Sequence, residues 1–349
     1  MKSTSTMGLD LAKDVFQIHG VDAVGNVTIR RSLKRRELIE ILRRLPPCLV
    51  GMEACGTSHY WARELTALGH TVKQMPAEYV RAYRRRGKTD AADAEAICEA
   101  VTRPRIKEVP TKTVEQQSLA MPHKARDLLV GHHTALGNSI RGQMAEIGIV
   151  AAAGQAGMAV LLSIVVDQSR MELSAAQRSA LMSLAAVLAE TAASIERLEA
   201  MMQAHAKSNV DVRRLRSIPG LGPVSASAFV ALVTNAKAFD SGRSFAASLG
   251  LTPRLNGTGG EVTLGPITKA GNGYLRRLLY LGAVSRLGRA KRFPEQADPK
   301  LLKLLAEKAS FKVAAIALAN KTARVVWVLL TRGGTYIDNH RPAVFAAAA

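Results

Sequence analysis

The first hundred residues alternate short apolar runs with amphipathic stretches, and that alternation admits few folds. Leu9 lies in a first strand, and Val15, Phe16, Ile18 and Val21 mark a second. Gly25-Asn26 makes a turn, and Val27 to Leu33 reads as a third strand. Leu38, Ile41, Leu42 and Leu45 then recur at helical spacing until Pro46-Pro47 stops them. Cys48 to Met52 is a short buried strand, and Trp61, Leu65 and Leu68 lie on a helix ended by Gly69. Val72 to Met75 is another strand, and Asp90 to Val101 is helical. Three strands, then helix, strand, helix, strand and helices predict a mixed α/β sheet covered by helices.

Four acids interrupt this pattern where a chain usually avoids charge. Asp10 breaks the run Met7-Gly8-Leu9-Asp10-Leu11, and Glu53 ends Leu49-Val50-Gly51-Met52-Glu53. Asp90 and Asp93 open a helix three residues apart, so both can serve one site. Each has a plain alternative. Asp10 fits the solvent side of an edge strand, and Glu53 an exposed strand end. Asp90 and Asp93 fit the positive end of a helix dipole. All four together predict carboxylate ligands for a divalent metal such as magnesium, which takes oxygen ligands in near-octahedral geometry. A pair of such ions, roughly 4 Å apart, stabilises the entering and leaving oxygens of a phosphodiester exchange. Asp14 and Glu95 are set aside, one in the next segment and the other on a different helix face.

The charge balance points to the same chemistry. Lys and Arg total 48 against 28 Asp and Glu, a net charge of +20, which predicts a polyanionic partner. The excess is clustered: Arg30, Arg31, Lys34, Arg35, Arg36; then Arg81, Arg84, Arg85, Arg86, Lys88; then Arg276, Arg277, Arg286, Arg289, Lys291, Arg292. Each cluster alone fits a solvated face; together they predict a surface that tracks phosphates. Aromatic residues make up only 4%, which argues against a binder built on base stacking. Cys48, Cys55 and Cys98 show neither zinc spacing nor a disulfide framework. Asp10 and Lys13 break any early apolar run, and the longest apolar stretch, Met158 to Val166, is too short for a bilayer. A soluble, cytoplasmic protein with no membrane segment is expected.

Beyond residue 110 the strand signals thin out. Long helices are expected around 113–147 and 174–207, with Pro122 kinking or dividing the first. They make either a helical hairpin or an arm that dimerises or spans nucleic acid. Ile218-Pro219-Gly220-Leu221-Gly222-Pro223 precedes a helix over Val224 to Val233. It reads as the hairpin of a helix-hairpin-helix module, where Gly220 and Gly222 let backbone N–H groups meet a phosphate, or as a plain linker. Asn256-Gly257-Thr258-Gly259-Gly260 is a hairpin loop or a substrate-facing loop, with Thr258 its one hydroxyl. Helices near 272–290 and 300–330 follow.

Several motifs resemble one family. Gly8-Leu9-Asp10-Leu11-Ala12-Lys13, Met52-Glu53-Ala54-Cys55 and Lys88-Thr89-Asp90-Ala91-Ala92-Asp93-Ala94 are similar to the three acidic motifs of DEDD insertion-sequence transposases. Ser217 to Gly222, Leu249-Gly250-Leu251-Thr252-Pro253-Arg254, Lys269-Ala270-Gly271-Asn272 and Tyr274-Leu275-Arg276-Arg277 resemble its C-terminal part. The resemblance covers residues 6 to about 336. It implies an RNase H-like (RuvC-like) domain over 1–110, a helical coiled-coil region over 111–210 and a mainly α transposase domain over 211–340. A tail over 341–349 is expected to be disordered. It implies Mg2+ held by Asp10, Glu53, Asp90 and Asp93, a structured guide RNA besides DNA, a homodimer or homotetramer, and a bacterial, nucleoid-associated location. Arg84, Arg85, Arg86, Lys88, Gly220, Gly222, Lys269, Arg276 and Arg277 are the expected nucleic-acid contacts. The family's nucleophile is a loop serine, and Gly257 stands at its place, which leaves Thr258 as the candidate. A structure-selective nuclease of the Holliday-junction type, or an inactive nucleic-acid-binding remnant, are the alternatives.

Overall fold

The computed structural model describes residues 3–84, 89–258 and 261–337. Arg85, Arg86, Lys88 and the segment 341–349 lie outside them. The chain divides into two compact units, one ending at Glu115 and one beginning at Gln116.

The first unit follows the predicted order closely. It runs β1 (Thr6–Asp10), β2 (Val15–Val21), β3 (Val27–Lys34), α1 (Glu37–Arg44), β4 (Leu49–Glu53), α2 (Ser58–Ala67), β5 (Thr71–Met75), α3 (Ala77–Arg81) and α4 (Asp90–Val101). The sheet order is β3-β2-β1-β4-β5. β1, β2 and β3 form an antiparallel meander, and β4 and β5 add in parallel to β1. Side chains alternate across a strand, so each strand feeds two layers. Met7, Leu9, Val50 and Met52 join Phe16, Ile18, Leu38, Leu42, Trp61 and Leu65 in one core, covered by α1 and α2. Gly8 and Gly51 face the other way, against α4. An added Cβ at Gly8 would lie 2.0 Å from the Ala94 carbonyl oxygen, and one at Gly51 would lie 2.7 Å from Val101 Cβ. Two glycines thus cut a trough in which α4 lies close to the sheet.

The second unit is mainly helical. α5 (Val114–Glu146), α6 (Gln155–Val166) and α7 (Ala175–Ser208) come first. α8 (Val210–Arg216), α9 (Pro223–Leu232) and α10 (Gly242–Ser248) follow. A hairpin of β6 (Pro253–Thr258) and β7 (Glu261–Ile267) precedes α11 (Gly273–Arg292), α12 (Pro299–Glu307) and α13 (Phe311–Arg332). Ile140, Met144, Leu161, Val165, Leu181 and Leu188 make a small core between α5, α6 and α7. A larger one gathers α8 to α13 around Phe229, Phe245, Leu279 and Val326.

Two expectations are corrected. Pro122 does not divide α5, which runs unbroken from Val114 to Glu146. The proline removes one helical hydrogen bond, but Ala120 and His123 beside it are buried and hold the segment in place. The helix expected over 300–330 is two helices. Lys308 is extended, and the Ser310 side chain accepts the Val313 N–H and starts α13 afresh. By length and composition alone, α7 and α13 are long and apolar enough to cross a bilayer, unlike the Met158 to Val166 run. α13 packs Ala315, Leu318, Ala319 and Val326 into the larger core, and α7 carries Glu190, Glu196, Arg197 and Glu199.

Candidate active site

Strand parity places two of the four acids. β1 and β4 are paired in parallel with Gly8 opposite Gly51 and Leu9 opposite Met52. One residue further on, Asp10 and Glu53 end their strands side by side. They share the parity of Gly8 and Gly51 and so emerge on the α4 face. The segment after Glu53 is pinned. Ala54 N–H donates to Met75 O at 2.8 Å, and Cys55 N–H donates to Ser58 Oγ at 3.0 Å.

α4 brings the other two. Its first turn carries Asp90 and Asp93, and its N-cap is Thr89, whose hydroxyl accepts the Ala92 N–H at 3.2 Å. Because the threonine supplies the cap, Asp93 is left to a different partner: Arg84 Nη1 lies 3.0 Å from its Oδ1. Asp90 is exposed, while Asp10, Glu53 and Asp93 are half-buried.

The four carboxylates feel one another. Burial pushes the Asp10 carboxyl up to about 6, and Asp93, Asp90 and Glu53 push in the same direction. Glu53 is also raised, first by burial and then by Asp93, against the opposing pull of Arg84 and Arg81. Crowded acids with an unfavourable common field are what a divalent cation relieves. The donor set is all carboxylate oxygen, which suits a hard ion. Among the described residues, no three His, Cys, Asp or Glu side chains are already drawn into a ligand cage. What fits such an ion here is the chemistry of the donor set, four carboxylates carried on β1, β4 and the first turn of α4.

The remaining candidates fall into three groups. Thr258 ends β6 opposite Glu261, next to the hairpin tip, and Gly257 is exposed opposite Val262. Gly220 and Gly222 lie in the α8–α9 turn. Gly220 takes φ +87° against α11, where an added Cβ would meet Arg286 Cδ and the Gly282 carbonyl at 2.9 Å. Gly222 is the N-cap of α9, and an added Cβ there meets nothing within 4 Å, so its backbone is open to a ligand. Lys269 is exposed with φ 55°, in the left-handed region. Arg276 is tied inward: its Nη1 donates to Leu249 O at 2.9 Å and to Ala270 O at 2.7 Å. Arg277 pairs with Asp127 and lies over the Tyr274 ring, 5.5 Å from its centre.

Sequence reasoning overlooked the Gly8–Gly51 trough, though a glycine two residues before each strand-end acid was a readable signal. It also did not foresee that Arg84, expected as a nucleic-acid contact, pairs with Asp93.

The chain is similar over most of its length to known proteins. Residues 7–149 match the DEDD transposase family of IS110 type, and residues 212–298 match the family described as "Transposase IS116/IS110/IS902 family". A probable family 20 transposase of Pseudomonas aeruginosa is 45% identical over 333 residues, 95% of this chain and 98% of the relative. A putative transposase of Sinorhizobium fredii is 43% identical, covering 95% and 85%. The transposase for insertion sequence element IS1111A of Coxiella burnetii is 36% identical, covering 96% and 92%.

Proposed function

The chain belongs to the IS116/IS110/IS902 family of insertion-sequence transposases, and we propose that it recombines DNA through Mg2+ held by Asp10, Glu53, Asp90 and Asp93. A DNA transposase handles phosphodiesters, and its net charge of +20 suits that substrate. One observation carries the metal reading: Asp10 and Glu53 end adjacent parallel strands on the face that α4 covers with Asp90 and Asp93 in its first turn.

In this reading the first unit is the RNase H-like (RuvC-like) domain. The sheet order, with an antiparallel meander joined to parallel strands, supports it. When bound, the ion lowers the charge on the reacting phosphate and orients the attacking oxygen. Asp10, whose proton affinity is raised by burial and by the neighbouring acids, must be deprotonated to hold it. Arg84 gives up Asp93 as the site closes and turns to phosphate.

Thr258 is the proposed nucleophile. Its oxygen bonds to phosphorus as the DNA P–O bond breaks, and the freed DNA hydroxyl leaves with the proton. An incoming DNA hydroxyl reverses the step and rejoins the strand. The guide RNA and a dimer or tetramer are part of the same proposal, by family likeness, as are the boundaries near 110, 210 and 340.

A donor–target plasmid assay tests both parts. Asp10→Ala is expected to abolish recombination while nucleic-acid binding persists; undiminished recombination would sink the metal assignment. Thr258→Ala is expected to abolish it too, and recombination that survives removes Thr258 from the mechanism. Gly257 supports a second reading, an inactive binder. Activity found only after Gly257→Ser would decide for it.

A further inference from the structure

The helical unit holds a cavity of about 300 Å3 between the α8–α9 turn, α11, α12 and α13. Its wall carries five cations, Arg286, Lys300, Lys308, Lys321 and Arg324, against one acid, Asp298. Asp298 caps α12, accepting the Lys300 N–H at 2.8 Å. Among the described residues none of the five cations is paired with a carboxylate. Like charges around one small cavity repel, and an anion seated between them relieves the repulsion.

The shape narrows the class of anion. A volume of this size is at the small end for ligand sites. It takes one phosphate with its sugar and excludes a duplex. Arginine forks and lysine point charges together suit phosphate oxygens. Leu301, Leu304 and Tyr336 supply an apolar wall for the rest of a nucleotide. The cavity is also joined to the glycine turn. Ile218 lines it, and the Arg286 stem packs against Gly220. Two residues on, Gly222 leaves the start of α9 open.

We propose that this cavity seats one phosphate group of a DNA strand and so anchors DNA on the helical unit. The proposal rests on the DNA-handling reading but not on the carboxylates. Its test therefore omits metal, and a failed Asp10 experiment would leave it standing.

Full-length protein in chelator is titrated with a fluorescent single-stranded DNA of random sequence over a range of salt. Lys308→Ala combined with Lys321→Ala is expected to weaken binding about tenfold. The log–log salt slope should fall by about 0.7, the share of the one single-strand phosphate no longer neutralised. Lys308→Arg with Lys321→Arg should restore both. Lys303→Ala is the control: Lys303 is on α12 outside the cavity, paired with Glu307, and its variant should bind as wild type. An unchanged slope in the double alanine variant, with an unchanged melting temperature, overturns the proposal. So does inorganic phosphate binding that the double variant loses while its DNA affinity stays wild-type, since the cavity would then serve a free anion.

Discussion

Gly8 and Gly51 lie opposite each other across the parallel β1–β4 pair, and α4 rests over both. This pairing sets how closely Asp90 and Asp93 approach Asp10 and Glu53. A methyl group at either glycine forces the helix away. Overpacking of this kind costs about 1–3 kcal/mol. Gly8→Ala should cost more than Gly51→Ala, because its methyl meets the Ala94 backbone while that of Gly51 meets the Val101 side chain. Gly56→Ala, with nothing within 4 Å, should stay within about 0.5 kcal/mol of wild type. Denaturant titration ranks the three. Equal stabilities would show that the helix is not held by the trough.

In the proposed site Arg84 would compete with a metal for Asp93. They lie 3.0 Å apart, and both side chains are partly exposed, so the pair contributes about 0–1 kcal/mol to folding. Arg84→Gln should therefore barely change stability. It should tighten Mg2+ binding several-fold, because Asp93 is then available and the acids carry more net charge. Calorimetric titration with Mg2+ reads this directly. Weaker or unchanged Mg2+ affinity would mean that Arg84 orients Asp93 for the ion and does not withhold it.

Arg276 looks like a phosphate contact in the sequence, yet it clasps two loops. Its Nη1 bridges Leu249 O and Ala270 O. Those loops meet closely: an added Cβ at Gly271 would lie 1.8 Å from the Ser248 oxygen. Arg276→Ala should destabilise the protein by about 1–3 kcal/mol through the stranded carbonyls and the missing side-chain packing. The salt slope of DNA binding should not change. A normal melting temperature with a slope reduced by about 1 would return Arg276 to the phosphate surface.

The difference between Arg276 and Asp10 shows what can be read from a chain alone. Periods of two and 3.6 disclosed the strands and most helices of the first unit, because local burial dictates those spacings. Asp10 and Glu53 stood out because each breaks such a period. Their convergence required the β1–β4 register, and no local spacing encodes which strands become neighbours. The hydrogen bonds of Arg276 depend on a loop 27 residues away, which a residue's own context cannot reveal. Pro122 and the break after α12 were misread for a related reason. Tertiary packing overrode a helix breaker in one, and a capping serine outweighed helical spacing in the other.

Two groups, Asp10 in the first unit and His123 in the second, should answer acid with opposite signs. Asp10 is raised from an ordinary 3.8 to about 6, so the native state binds its proton first as pH falls. Its contribution destabilises the fold above about pH 6 and fades as pH drops towards 4. Glu53, raised mainly by burial, acts in the same direction. In the second unit His123 is buried, with Nε2 3.1 Å from Ser227 Oγ and Nδ1 3.3 Å from the Tyr274 hydroxyl. Burial, and then Arg126 and His205, lower it from 6.5 to about 4. The unfolded chain therefore binds that proton first, and stability is lost as pH falls from about 6.5 to about 4. The loss is at most about 3 kcal/mol. In chelator, Asp10→Asn should be more stable than wild type by about 1 kcal/mol above pH 7, a figure reduced for solvent screening, with the gain vanishing near pH 4. His123→Gln should lag wild type most at neutral pH, and the gap should narrow through the acid window. Denaturant titrations of both variants across pH 4–8 measure the two differences. If both pairs of curves run parallel to wild type, neither group titrates with its fold.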